Sequence, residues 1–101
     1  MNSKNNITVT RSANKDKKYT VKVDNKTIHF GGKGYDDYTT LKSDPDRDKR
    51  KDRYLARHKK DPNTIDSAGF WARELLWSKP DIRDAAQAIS RKINRKVTLK
   101  I

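Results

Sequence analysis

Cysteine is absent from the 101-residue sequence, so a disulfide framework, a zinc–thiolate site and a thiol nucleophile are excluded. No apolar run approaches the roughly 20 residues that cross a bilayer. The first six residues, MNSKNN, contain no apolar signal region. The sequence therefore predicts a soluble protein, without a membrane span, that works inside a cell or a particle.

Groups for catalysis are also scarce. Only His29 and His58 offer an imidazole, and neither has a neighbouring Ser, Asp or second His in a recognisable catalytic arrangement. Asp36 and Asp37 are adjacent on a predicted loop, where acids usually cap or turn the chain, and no further oxygen ligand is placed beside them. We expect no enzyme activity, no cofactor, no metal and no small-molecule substrate.

Positive charge is what the sequence has in excess. Lys and Arg number 25 against 13 Asp and Glu, which gives a formal net charge of +12. Much of the excess lies in residues 42–60. A compact protein this basic repels itself, so the charge favours a polyanion, an acidic protein surface or a packed assembly as partner. Composition thus indicates a binding or structural protein.

Four short stretches alternate apolar and polar residues, which is the period-2 pattern of half-buried strands. They lie at 7–10, 19–23, 28–30 and 97–101. Asp24-Asn25 separates the second from the third and predicts a tight hairpin turn.

Three helices are predicted between the third and fourth strands. The first begins at Asp44-Pro45 and is stopped by Asp61-Pro62, the second covers 68–77, and the third follows Lys79-Pro80 and runs to about Asn94. The order β-β-β-α-α-α-β favours an α+β fold with a small antiparallel sheet covered on one face by two or three helices.

The chain divides into three predicted parts. Residues 1–17 form a polar N-terminal extension with one short strand, residues 18–94 form the core domain, and residues 95–101 form a C-terminal strand. Only 32% of the residues are hydrophobic, so the single core is predicted to be small.

Two features of this arrangement have alternative interpretations. The block Gly31-Gly32-Lys33-Gly34 is interpreted as a sharp turn rather than a phosphate cradle, because no helix begins directly behind it and its Gly-Lys is not followed by Ser or Thr.

Phe70 and Trp77 lie opposite the main apolar face of the second helix. Burial in the core is favoured, and an exposed patch for a partner is the alternative.

Three blocks, at 30–39, 47–60 and 67–80, carry a resemblance. The blocks contain, in order, the glycine block, the pattern Arg53-Tyr54-x-x-Arg57-His58 and the run from Ala68-Gly69 to Leu76-Trp77-x-Lys79-Pro80. With these motifs, the chain resembles a family of short basic proteins of nucleocytoplasmic large DNA viruses over residues 18–94. The resemblance implies a viral setting and no catalytic residue. Residues 61–64 stand where relatives are expected to carry a tryptophan-containing loop.

Two functions are consistent with these features. The favoured hypothesis is a virion component, a minor capsid or core protein that contacts other virion proteins in the particle. The alternative is a protein that binds viral DNA or RNA through the basic helix 45–60, with Tyr54 available for stacking. Either hypothesis places the protein in the virion or in the cytoplasm or viral factory of the infected host cell.

Both hypotheses use the same candidate binding residues. A single continuous basic face would favour nucleic acid, whereas charge scattered over several contacts would favour a particle component. The candidates are Arg47, Lys49, Arg50, Lys51, Arg53, Tyr54, Arg57, His58, Lys59 and Lys60 of the first helix, and Arg91, Lys92, Arg95 and Lys96 near the end of the third.

Overall fold

The computed structural model describes residues 6–41, 43–60 and 64–101. Along the chain it contains strands β1 (Asn6–Arg11), β2 (Lys17–Val23) and β3 (Lys26–Gly32), helices α1 (Arg47–Arg57) and α2 (Ala68–Trp71), a π-helical segment (Ala72–Trp77), helix α3 (Ile82–Ile93) and strand β4 (Lys96–Lys100). The α+β class and the order of elements are confirmed. Within the described residues, no helix is both long enough and apolar enough to cross a membrane.

The four strands form one mixed sheet in the order β3-β2-β1-β4. Neighbouring pairs β1–β2 and β2–β3 are antiparallel, whereas β1 and β4 are parallel, with Thr8 opposite Thr98. The expected all-antiparallel sheet is therefore wrong at this pair, because the three intervening helices form a connection long enough to return the chain to the same end of the sheet. Strand β1, predicted in an N-terminal extension, lies inside the sheet.

The core lies between the sheet and the helices. Alternation places Ile7, Val9, Val21, Ile28 and Phe30 on one face of the sheet, where they are buried. The helices contribute side chains to the same cluster: Phe70, Trp71, Leu75, Leu76, Ala85, Ala86 and Ile89.

The turn between β2 and β3 confirms the hairpin prediction. Strand β2 ends at Val23 and β3 begins at Lys26, so the connection contains two residues. Asp24 has a φ of 55°, which is the left-handed conformation that Asp and Asn tolerate in such turns.

Helix α1 begins at Arg47, two residues later than predicted. Asp44 caps a turn that precedes the helix and not the helix itself. Its carboxylate accepts a hydrogen bond from the Asp46 N–H at 2.7 Å, and its carbonyl accepts one from the Arg47 N–H at 3.1 Å. The helix ends at Arg57. The predicted stop at Asp61-Pro62 lies outside the described residues.

The predicted second helix is α-helical only at its start. It continues as the π-helical segment, whose i→i+5 hydrogen bonds place more residues in each turn. Phe70 is buried, as favoured. Trp77 is half-buried, and its ring stacks on Tyr54 of α1. The two aromatic residues thus have different environments.

Substitution of Leu75 tests the assignment of the core face. Leu75 is fully buried in the cluster, so we expect Leu75→Ala to lower the free energy of unfolding by about 2 to 5 kcal/mol through lost burial and a cavity. Leu55→Ala on α1 is the matched control, because Leu55 is only half-buried and lies outside the cluster. Urea denaturation measures both. Equal losses would show that Leu75 does not face the core.

Candidate functional site

A groove of about 580 Å³ lies between helix α1, the π-helical segment and the turn that follows β3. One wall is the exposed face of α1, which we call the helix wall. The opposite wall is formed by residues 31–37 and is called the glycine wall. Ala72, Leu76 and Trp77 of the π-helical segment complete the groove. Several of the predicted basic residues line this concave surface.

The helix wall consists of side chains on one face of α1. Arg50, Arg53, Tyr54, Arg57 and His58 line the groove, and their spacing of three, four, seven and eight residues from Arg50 is the spacing of one helix face. These five were all predicted as candidate binding residues. The structure therefore brings this part of the predicted set together.

The three arginines differ in their partners. Arg50 forms ion pairs with Asp44 at 3.2 Å and with Asp36 at 4.0 Å. Within residues 6–41, 43–60 and 64–101, Arg53 and Arg57 have no ion pair with a carboxylate. Their guanidinium groups, on exposed residues, are thus uncompensated by a direct partner in the described part of the chain.

The ring of Tyr54 is occupied by other side chains. The imidazole of His58 stacks on it with a centroid distance of 4.1 Å and an interplanar angle of 23°, and the indole of Trp77 stacks at 4.5 Å and 8°. Tyr54 was predicted to be available for stacking on a base. The structure corrects that role, because Tyr54 instead joins α1 to the π-helical segment.

Glycine residues let the opposite wall form. Gly31 has a φ of 78°, and a Cβ atom built on it would lie 2.9 Å from Leu76 Cδ1, so a side chain would meet both strain and a clash. A Cβ atom on Gly32 would lie 2.8 Å from Cδ2 of the Tyr35 ring. The Tyr35 N–H donates to the Gly32 carbonyl at 3.2 Å, which closes the turn. The sharp-turn interpretation of this block agrees with the observed geometry.

Tyr35 is the aromatic residue that the sequence reasoning missed. It lines the groove and is 77% exposed. An aromatic side chain directly after a Gly-Gly-x-Gly turn was the available signal, because such a turn places its next side chain at the surface.

Asp37 anchors the glycine wall. It is buried, and its Oδ2 accepts from Lys18 Nζ of β2 at 2.6 Å. Its Oδ1 accepts from the N–H of Thr39 at 2.8 Å and from the hydroxyl of Thr39, while its carbonyl accepts from the Leu41 N–H at 3.1 Å. The carboxylate therefore fixes the loop in front of α1 to the sheet. Lys18, Asp36 and Asp37 line the groove but were not among the predicted site residues.

Arg47 and Lys51 point to a different surface of α1. Lys51 Nζ lies 4.8 Å from the centroid of the Tyr38 ring and donates to the Ser78 carbonyl at 3.1 Å, and Arg47 lies 6.0 Å from the same centroid. The Tyr38 hydroxyl donates to Asp48 at 2.7 Å, and this bond raises the pKa of Tyr38 above its ordinary value. These two predicted residues thus support the packing of α1 rather than the groove.

The remaining predicted residues lie outside the groove. Lys92 pairs with Glu74 at 3.1 Å and Arg95 with Asp24 at 2.9 Å. Lys49 borders a separate shallow depression together with Asp46, Asp52 and Arg53. The others are exposed and line neither depression: Lys59, Lys60, Arg91 and Lys96. The groove thus contains predicted residues of the first helix and none of the four near the end of the third.

The two histidines lie apart. His58 lines the groove, whereas Nδ1 of His29 in β3 lies within hydrogen-bond distance of the hydroxyls of Ser12 and Thr20, at 2.9 and 2.8 Å. In the described part of the chain, no three His, Asp or Glu side chains are grouped so that they could hold a metal ion.

Comparison with known proteins places the chain in a protein family. A family model described as one of unknown function matches residues 7–58. This range contains both the glycine wall and the helix wall but not the π-helical segment. No curated protein and no solved structure matches the chain.

Removing the Lys18 partner tests whether the Asp37 ion pair holds the glycine wall. The side chain of Asp37 is 3% exposed and that of Lys18 17%. We expect Lys18→Met to lower the free energy of unfolding by about 3 to 5 kcal/mol, because it leaves a buried carboxylate without its cation. Lys22→Met, at an exposed position of the same strand, is the matched control and should change stability by about 0.5 kcal/mol or less.

The double variant Lys18→Met/Asp37→Asn separates the ion pair from the packing of the lysine stem. It should lose less stability than the sum of the two single variants, because no charge remains buried alone. Strictly additive losses in a denaturant titration would contradict the proposed anchoring role.

Proposed function

The chain belongs to the family of unknown function DUF5754, and we propose that it binds nucleic acid through phosphate contacts in its groove. The observation that carries the proposal is the helix wall: Arg53 and Arg57 lie on one face of α1, line the groove and have no ion-pair partner among the described residues. A phosphate group is the partner whose charge and shape suit such guanidinium groups.

The balance of charge in the groove supports the same partner. Its lining contains Lys18, Arg50, Arg53 and Arg57 against Asp36 and Asp37. Lys18 and Asp37 neutralise each other, and the formal charge of the whole chain is +12. Attraction between this surface and a polyanion acts before contact and speeds association, and salt weakens it.

The chemistry of the helix wall defines the type of binding. Phosphate contacts fix the position of a protein on nucleic acid and carry no direct sequence information. The affinity contributed by Arg53 and Arg57 should therefore be similar for different base sequences and should fall steeply as counterions are added.

Substitution of Arg53 and Arg57 tests this proposal. We expect Arg53→Gln/Arg57→Gln to weaken binding of a labelled oligonucleotide uniformly across sequences, and to reduce the slope of log affinity against log salt by about 0.7 per lost contact on a single strand or 0.9 on a duplex. Fluorescence anisotropy at several salt concentrations between about 50 and 200 mM measures both quantities.

Arg11→Gln/Arg83→Gln is the matched control. Arg11 in β1 and Arg83 on α3 are exposed, do not line the groove and are not among the candidate binding residues, so the control removes the same charge with the same chemistry elsewhere. It should change the salt slope much less than the groove variant. Equal effects of the two variants would show that net charge alone drives binding, and absence of parent binding at low salt would remove the proposal.

We propose a structural part of a virus particle as a second candidate function. The distribution of charge supports it: Arg91 and Lys96 are exposed away from the groove, where they are available to contact acidic neighbours in an assembly. Strands β3 and β4 are the two edges of the sheet, and an edge can pair with a strand of another chain. The resemblance of residues 18–94 to short basic viral proteins supports this candidate and a location in the virion, with synthesis in the cytoplasm or viral factory of the host.

Particle proteomics distinguishes the second candidate. A structural part should co-purify with intact particles in many copies and should be released only when salt or denaturant disrupts its contacts with other virion proteins. If mature particles lack the protein while infected cells contain it in abundance, the particle role is wrong and nucleic-acid binding within the cell remains.

A further inference from the structure

We infer that the groove accepts an unpaired base stacked on Tyr35, so that single-stranded nucleic acid is bound in preference to duplex. This inference rests on the proposed function and names the class of nucleic acid that the same groove selects. It assigns the recognition of the base to the glycine wall and the recognition of the phosphates to the helix wall.

Tyr35 is the tyrosine whose ring remains available. Tyr54 is stacked on His58 and Trp77, Tyr38 is buried, and the ring of Tyr19 packs near Phe30 with a centroid distance of 5.9 Å. In contrast, Tyr35 is 77% exposed, and no aromatic ring of the described residues packs against it. An exposed ring in a basic groove is the element on which proteins stack single-stranded bases.

The position of the Tyr35 ring is set by the turn beneath it. The ring lies so close to Gly32 that a Cβ atom there would be 2.8 Å from Cδ2, and the hydrogen bond from the Tyr35 N–H to the Gly32 carbonyl closes the turn. Two residues further along, Asp37 is tied to Lys18 of β2. The ring is thus presented from an anchored wall, which reduces the conformational entropy that stacking has to overcome.

Charge orients the nucleotide within the groove. Arg53 and Arg57 attract phosphate on the helix wall, whereas the carboxylate of Asp36, with its side chain 57% exposed, lies beside Tyr35 on the glycine wall. A phosphate is repelled from Asp36, and an uncharged base is not. The sugar–phosphate backbone is therefore directed to α1 and the base to Tyr35.

The size of the groove agrees with this selection. Its volume of about 580 Å³ lies in the range of about 300 to 1,000 Å³ that accommodates a small-molecule ligand. A base in a duplex is stacked between its neighbours, and taking it out of the stack costs a few kcal/mol, whereas a base in a single strand is already accessible. The stacking contribution of Tyr35 is therefore realised with single strands and not with duplex.

Substitution of Tyr35 tests the inference with a single-stranded oligonucleotide and a duplex of the same sequence as probes. Tyr35→Ala should weaken single-strand binding by roughly five- to a hundredfold, as expected for the loss of one stacked base, and should leave duplex binding unchanged. Tyr35→Phe should retain single-strand affinity, since the ring is kept. Fluorescence anisotropy at one low salt concentration provides all four comparisons.

Gly32→Ala is an independent second variant. The added methyl group should displace the Tyr35 ring, so single-strand affinity should fall as in Tyr35→Ala while duplex affinity persists. Circular dichroism melts show whether each variant remains folded, and the exposure of Tyr35 predicts that Tyr35→Ala does.

Two outcomes would overturn the inference. Equal weakening of single-strand and duplex binding by Tyr35→Ala would show that the ring does not stack on an unpaired base, and unchanged single-strand affinity would show that it takes no part. In either case the effect of Arg53→Gln/Arg57→Gln still reports on the proposed function. Loss of binding in that arginine variant with no effect of Tyr35→Ala therefore rejects the inference alone.

Discussion

The ion pair between Lys18 and Asp37 is the interaction on which the arrangement of the groove depends. Its carboxylate is buried, its lysine is largely buried, and it joins β2 to a loop without regular secondary structure. The same aspartate organises the next residues of that loop, and the Tyr38 N–H then donates to the Leu76 carbonyl at 3.0 Å. These contacts link the sheet, the loop and the π-helical segment, and they fix the glycine wall in front of α1.

The groove combines features that a stable small domain would avoid. Three arginines share one face of α1, and only Arg50 has carboxylate partners among the described residues, so their mutual repulsion opposes folding. The helix contains no fully buried residue and is held by contacts at its sides, among them the stack of Tyr54 on Trp77 and the bond from Lys51 to the Ser78 carbonyl. If the groove binds a polyanion as proposed, this unbalanced charge serves binding at the expense of stability.

The pattern of apolar and polar residues in the sequence predicted the parts of the fold that depend on residues close together in the chain. Alternation located the strands because it reports which face is buried, and helical spacing placed the groove-lining arginines on one face. Alternation could not distinguish a parallel from an antiparallel partner for β1, since both strand directions bury the same side chains. The environments of Tyr35 and Tyr54 were also beyond it. The position of the Tyr35 ring depends on the backbone of the turn at Gly32, and the stacking of Tyr54 depends on Trp77, which is distant in sequence.

The parallel pairing of the first and last strands has a consequence for how the protein folds. Thr8 pairs with Thr98, 90 positions later, while its other neighbour, Lys22, follows after only 14. During synthesis the β-hairpin and its extension β1 can assemble early, but one edge of β1 remains open until β4 has left the ribosome. Pairing across so long a separation carries a large loop-closure entropy and slows the final step. Completion of the sheet is therefore a late step of folding, and β1 carries an unpaired strand edge until β4 is in place.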